Sequence, residues 1–125
     1  MATQQPAFSI GTLTAAADLS AKQFHAVKIT AAQQVNLSTV AGEPVIGILQ
    51  NKPASGAAAD IMVIGVTKVK AGAAIAAGAS VMAGADGRII TAATAGSEVI
   101  GKALEAAANA DEIISILLVA HQGIV

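Results

Sequence analysis

A short cassette occurs twice in this chain and limits its fold more than any other feature. Ala41-Gly42-Glu43-Pro44-Val45-Ile46-Gly47 returns as Ala95-Gly96-Ser97-Glu98-Val99-Ile100-Gly101, displaced by 96 − 42 = 54 positions. Each copy leads through small residues into an Asp-bearing apolar run. The first is Asp60-Ile61-Met62-Val63-Ile64, and the second is Asp111-Glu112-Ile113-Ile114-Ser115-Ile116-Leu117-Leu118-Val119. Repetition within one chain marks an architecture assembled from like units. The duplication therefore predicts a body made of two similar β units and directs attention away from catalysis.

A chain of 125 residues buries about two thirds of its unfolded surface, enough for one core and too little for two independent ones. The expected organisation is an extended N-terminal arm over residues 1–13 and a single β domain over 14–125, with the quasi-repeat at about 24–70 and 78–119. Alanine favours helix intrinsically, but the apolar runs at 24–29, 45–49, 61–69, 88–91, 99–104 and 113–119 are brief and rich in Val and Ile. Such runs, bounded by Gly, Asp, Asn or Pro, read as strands. The fold class is thus all-β, a small barrel or sandwich-like body with at most one or two short helical turns, at 19–23 and 73–77. The segment 104–110 reads as a strand end and loop.

Turn chemistry supports this reading. Asp86-Gly87 lies between Val81-Met82-Ala83 and Arg88-Ile89-Ile90 and predicts a tight hairpin of type I′, whose central positions require φ > 0. Gly47 and Gly101 are assigned with Asp86 and Gly87 as structural turns. In the last apolar run Ile114, Ile116 and Leu118 point one way and Ile113, Leu117 and Val119 the other, so the first three are candidates for the core or a subunit contact. The polar start Thr3-Gln4-Gln5-Pro6, followed by Phe8 and Ile10, reads as an arm whose few apolar residues anchor on a partner.

Charge narrows the function. Only 12% of residues are charged, against about 25% in an ordinary soluble domain, and obligate interfaces are depleted in charge. An oligomer or a member of a larger assembly is expected. A transmembrane helix needs about 20 apolar residues, and the low-charge stretch 71–85 is shorter and interrupted by Gly72, Gly78 and Gly84. No membrane association is predicted. A net charge of −1 does not suit a nucleic-acid-binding body, which needs clustered Lys and Arg. The start of the chain shows neither a basic nor an apolar leader region, so use without secretion is expected.

Candidate chemistry is sparse. Gly96, Gly101 and Lys102 match part of the phosphate-cradling loop, but Ala103 replaces its hydroxyl residue and the same glycine spacing, Gly42 to Gly47, precedes Ile48. The spacing belongs to the repeat. His25 and His121 lack partners at metal-ligand spacing, no acid/base pair or Ser-His-Asp arrangement is indicated, and there is no cysteine. The reading is of a non-enzyme without cofactor or metal. One alternative rests on Lys68 and Lys70, because biotinyl and lipoyl carrier domains are also small all-β bodies of two quasi-repeats bearing a modified Lys on a hairpin. Here Thr67 and Val69 flank the lysines in a strand-like alternation.

Asp18-Leu19-Ser20-Ala21-Lys22-Gln23-Phe24-His25-Ala26-Val27-Lys28, Val45-Ile46-Gly47-Ile48-Leu49-Gln50-Asn51-Lys52-Pro53, Gly65-Val66-Thr67-Lys68-Val69-Lys70-Ala71-Gly72, Gly78-Ala79-Ser80-Val81, Asp86-Gly87-Arg88 and Val99-Ile100-Gly101 together resemble the small head-decoration or capsid-cement proteins of tailed bacteriophages. The resemblance spans 18–119. It implies a structural virion protein, assembled in the host cytoplasm, that binds the outer surface of the head. There it would cement neighbouring major capsid protein subunits and stabilise the expanded shell. It further implies self-association, usually as a homotrimer and sometimes as a dimer. Gln4, Gln5, Pro6, Phe8 and Ile10 are the expected capsid contacts. A phage tail adaptor module is the other structural alternative.

Overall fold

The computed structural model describes residues 2–93 and 96–124, with the side chains of all of these except Ala7 and 120–124. The strands are β1 (Gln5–Ala15), β2 (Ala26–Ala31), β3 (Gln34–Leu37), β4 (Gly47–Leu49), β5 (Ala58–Lys70), β6 (Ser80–Ala83), β7 (Ile89–Thr91), β8 (Glu98–Ala103) and β9 (Ile113–Ile124). They form one sheet in the order β1-β3-β2-β4-β5-β9-β8-β6-β7, and β1 also pairs with β5. The ladder of the first five strands therefore closes on itself. The fold is all-β, as the short Val- and Ile-rich runs predicted.

Two similar units share β5. In the first, Ala26 faces Ile48 and Val27 faces Gly47; in the second, Ser80 faces Lys102 and Val81 faces Gly101, each shifted by 80 − 26 = 54 positions. The hairpin pairs Val27–Leu37 and Ile29–Val35 recur as Val81–Thr91 and Ala83–Ile89. Even the parallel contact of β1 with β3 at Ala15–Val35 has its counterpart in the bridge Ala71–Ile89. Thus β5 closes the first unit on β1 and opens the second beside β7 and β9.

The equivalence reaches backbone conformations that side chains resist. Phe24, Gln33 and Asp111 adopt left-handed φ values of 68°, 61° and 71°, and the corresponding positions in the other unit are Gly78, Gly87 and Gly56 at 84°, 82° and 82°. The turn geometry is fixed by the surrounding bonds: Phe24 N–H donates to the Leu49 carbonyl as Gly78 N–H does to that of Ala103, both at 2.8 Å. A non-glycine residue there crowds its own Cβ. Gln33 is exposed, so Gln33→Gly removes the crowding at little cost in contacts. It is expected to stabilise the chain by about 0.5–1 kcal/mol, measured by urea denaturation.

Several expectations need correction. The loop between β6 and β7 is not a two-residue type I′ turn: Gly87 N–H donates to the Gly84 carbonyl and Gly84 N–H to that of Arg88. Among its residues only Gly87 has φ > 0, so it is a three-residue loop with a bulge. Residues 19–23 and 73–77 are irregular, with turns and a bridge at Ile75 and no helix, because their backbone is engaged elsewhere; Leu19 N–H bonds to the Pro53 carbonyl and Ile75 N–H to that of Ala107. Gly47 and Gly101 lie in β4 and β8 and turn nothing. The segment 104–110, by contrast, is the loop expected after β8, with one bridge of Ala107 to Ile75.

The N-terminal segment is extended, yet it is built into the body. Gln5 pairs with Val66, Pro6 with Gly65 and Ile10 with Ile61, with bulges between Pro6 and Phe8 and between Ile10 and Leu13. The far end of β1 enters the core through Leu13 and Ala15, beside Leu19, Val27, Val35 and Leu49. A second, larger cluster holds Ile48, Met62, Val69, Ile100, Ile114, Ile116 and Leu118. The units are joined by main-chain bonds as well: Gly42 N–H donates to the Ala83 carbonyl, and the Gly42 carbonyl accepts from Glu98 N–H. The two cassettes thus bond directly to each other.

Candidate functional site

Alternation along β5 and β9 divides their residues between core and surface. Thr67 and Val69 of β5 are buried, as are Ile114, Ile116 and Leu118 of β9. The opposite face carries Ile64, Val66, Lys68 and Lys70, which stand across from Val119, Leu117, Ser115 and Ile113 in that order. On the next strand Lys102 faces Leu117, and Leu104 follows it beside β9, its N–H bonded to the Ser115 carbonyl. On the other side Phe8 of β1 pairs with Ile64.

This face concentrates exposed apolar surface. Among the described residues, seven large hydrophobics are exposed: Phe8, Ile29, Val40, Ile64, Leu104, Ile113 and Leu117. Five of them lie on the β1–β5–β9–β8 face. Scattered surface apolar residues are ordinary, but a contiguous patch marks an interaction site. Ile29 belongs instead to an open groove of about 470 Å³ lined also by Lys28, Pro44, Val45 and Ile46. The equivalent place in the second unit, at Met82 and Ala83, is buried, and the Gly42 turn of the first cassette bonds to it.

The first residues of the chain cross the same face. Thr3 N–H donates to Ser115 Oγ at 2.5 Å, and that hydroxyl donates back to the Thr3 carbonyl at 3.0 Å. Gln4 Oε1 accepts from Lys68 N–H at 3.2 Å and from Thr67 Oγ1 at 3.3 Å. The side chains named from sequence as capsid contacts are therefore unequal. Gln4 is tied to β5, Gln5 and Pro6 extend the ladder, Ile10 packs partly on the core, and Phe8, 55% exposed, presents its ring outward. Ile114, Ile116 and Leu118 lie in the core.

The other sequence candidates fall into structural roles. Gly101 and Lys102 are strand residues of β8, and Lys102 Nζ approaches Ser80 Oγ at 3.4 Å. Lys68 lies inside β5 and Lys70 is its last residue, whereas a carrier domain would place its lysine at a hairpin tip. Asp86 accepts from Arg88 N–H at 3.1 Å, and Arg88 reaches Asp86 and Asp111 at 2.8 and 3.0 Å, tying the β6–β7 loop to the start of β9. The His121 side chain lies outside the described residues.

His25 is buried, its Nδ1 3.1 Å from the Gln23 carbonyl. Burial pushes its pKa below the ordinary 6.5, with nearby Lys22 and Lys70 acting the same way and the Gln23 bond opposing. The unfolded chain then binds the extra proton first, so stability is complete above pH 6.5 and falls as the pH drops below it. Urea midpoints between pH 7.5 and 5 should decline in the wild type and flatten in His25→Gln.

Comparison with known proteins gives matches of two kinds. Residues 4–118 match a family model described as phage cement protein. Among solved structures, the N base of the head fibre gp8.5 of bacteriophage phi29 superposes with a TM-score of 0.71 at 14% identity, covering 89% of this chain and 92% of that one. At that identity the likeness is one of fold. Among curated proteins none matches the chain.

Proposed function

The chain belongs to the phage cement protein family, a family of phage structural proteins, and from that premise we propose that it binds the outer surface of the phage head and bridges neighbouring major capsid protein subunits. It acts as a structural component of the virion, assembled in the host cytoplasm, and associates with itself, preferentially as a homotrimer. The observation that carries this reading is the β1–β5–β9–β8 face, where most of the exposed large hydrophobics gather. A low-charge body with one such face gains stability by covering it.

The physical mechanism follows from linkage. A protein that binds the assembled lattice and not its free subunits shifts the equilibrium toward the lattice by mass action. Joined copies act at high effective concentration, so several modest contacts give lasting attachment. The test is co-sedimentation of the purified chain with expanded heads and with unexpanded proheads of the phage that encodes it. Saturable binding to expanded heads is expected, with weaker binding to proheads; absence of binding to both rejects the reading. Sedimentation equilibrium tests the trimer.

Among the N-terminal residues, Phe8 is assigned the main capsid contact, with Gln4, Gln5, Pro6 and Ile10 holding it in place. Removing the first ten residues would strip β1 from β5 and confuse binding with folding. Phe8→Ser is the cleaner variant: its occupancy on heads should fall several-fold, in line with loss of an aromatic anchor, while its urea midpoint stays near that of the wild type. Unchanged occupancy would remove Phe8 from the contact.

A further inference from the structure

The same face carries three lysines. Of the chain's seven cations, Lys28 is paired with Glu43, and Arg88 with Asp86 and Asp111. Lys68, Lys70 and Lys102 stand on the face itself, opposite Ser115, Ile113 and Leu117. None of these three makes an ion pair among the described residues, and two are only half-buried while Lys102 is exposed. Two carboxylates beside the face are already engaged: Glu105 accepts from Ser115 N–H at 2.9 Å, and Asp111, which lines a groove with Lys70 and Ile113, is held by Arg88.

Lysines are a known means of blocking an exposed strand edge, but the edge of β5 at Lys68 and Lys70 is already closed, since Lys68 N–H donates to Gln4 Oε1 and Lys70 N–H to the Phe24 carbonyl. Pairing with β1 ends at Val66, β9 runs beside β5 through Lys70, and Lys102 lies in β8 between β6 and β9. The lysines stand among apolar residues on a sheet face, where an opposing surface would meet both at once. Two copies packing this face to face would bring like charges together, which disfavours wrong partners at an interface. Nucleic acid is a poor occupant, since three lysines among Phe, Ile and Leu neutralise few phosphates.

We infer that the β1–β5–β9–β8 face docks a protein surface that combines apolar residues with carboxylates, and that Lys68, Lys70 and Lys102 select it. The inference rests on the cement reading and names the chemistry of the capsid surface that the face meets. Charge pairs at such a rim act on approach and on partner choice, and salt screens them.

The experiment uses the full chain and expanded heads freed of their own copies of it. Binding of the wild type should weaken steadily as sodium chloride rises. The triple variant Lys68→Glu, Lys70→Glu, Lys102→Glu should bind about tenfold or more weakly, whereas Lys→Gln at the three positions should bind with intermediate affinity and reduced salt dependence. Thermal melts and sedimentation equilibrium confirm that each variant keeps its fold and its oligomeric mass. Wild-type binding with undiminished binding by the Glu variant overturns this inference and leaves the cement reading standing. No wild-type binding overturns both. A Glu variant that loses its oligomeric mass while still occupying heads assigns the face to contact between copies, and binding of wild type to duplex DNA that the Glu variant loses assigns it to nucleic acid; either result also overturns the inference.

Discussion

Gly101→Val should not fold, and Gly101→Ala should lose at least about 3 kcal/mol, more than the usual range for overpacking. A Cβ on Gly101 would run into the Leu117 carbonyl and come within 3.3 Å of Leu118 Cα. These are backbone atoms of β9, so no rotamer change relieves the clash; the strand must move. Gly47 stands at the same place in the first unit, against the Met62 carbonyl and 2.8 Å from Ile61 Cγ2, and Gly47→Ala should behave alike. Gly11→Ala is the control, because a Cβ there meets nothing within 4 Å and its φ is unstrained; it should change stability by less than about 0.5 kcal/mol. Circular dichroism and urea denaturation read all four. If Gly101→Ala melted like Gly11→Ala, close strand approach would not be the reason for glycine at the end of each cassette.

The duplicated cassette was legible as sequence because this close approach demands the same small residue twice. Most strands were legible too, since Val and Ile runs of strand length leave few alternatives. Two were not. β3 is only Gln-Val-Asn-Leu, with one fully buried side chain, too short for a pattern to emerge. β1 reads as an arm because its polar start and exposed Phe8 carry the signature of a segment that has left the body. Its burial comes from Leu13 and Ala15 at the far end and from pairing along β5. No local pattern announces such pairing.

The candidate face was hidden for a related reason. The last apolar run is hydrophobic on both sides, which fits a strand central in the body or one facing a neighbouring subunit, and Ile113 and Leu117 are 40% and 43% exposed while Ile114, Ile116 and Leu118 are covered. Sequence alternation separates the two sets of side chains but does not say which set the rest of the molecule covers. That depends on where β5 and β8 lie, and on Thr3 crossing to Ser115. The turns posed the converse difficulty. Phe24, Gln33 and Asp111 hold glycine-like conformations because main-chain bonds around them impose it, so residue preference alone pointed to short helices at the first of these turns.

The two sides of β9 can be separated by paired truncation. Ile116→Ala should cost about 2–5 kcal/mol, the range for removing a fully buried aliphatic side chain and leaving a cavity. Ile116 is fully buried, faces Thr67 and Ala103 across its two neighbours, and belongs to the cluster that joins the halves of the sheet. Leu117→Ala, one residue along, should alter folding stability by less than about 1 kcal/mol but weaken attachment to expanded heads. The measurement is a urea titration of each variant at two protein concentrations tenfold apart, beside head co-sedimentation. A core residue gives a loss in folding stability of similar size at both concentrations. A subunit contact would instead give a loss that grows on dilution, together with a lower sedimentation mass. A dilution-dependent loss for Ile116→Ala would therefore move that side chain from the core to the interface. A large folding loss for Leu117→Ala would mean that the outer face already supports the fold, leaving less of it for a partner.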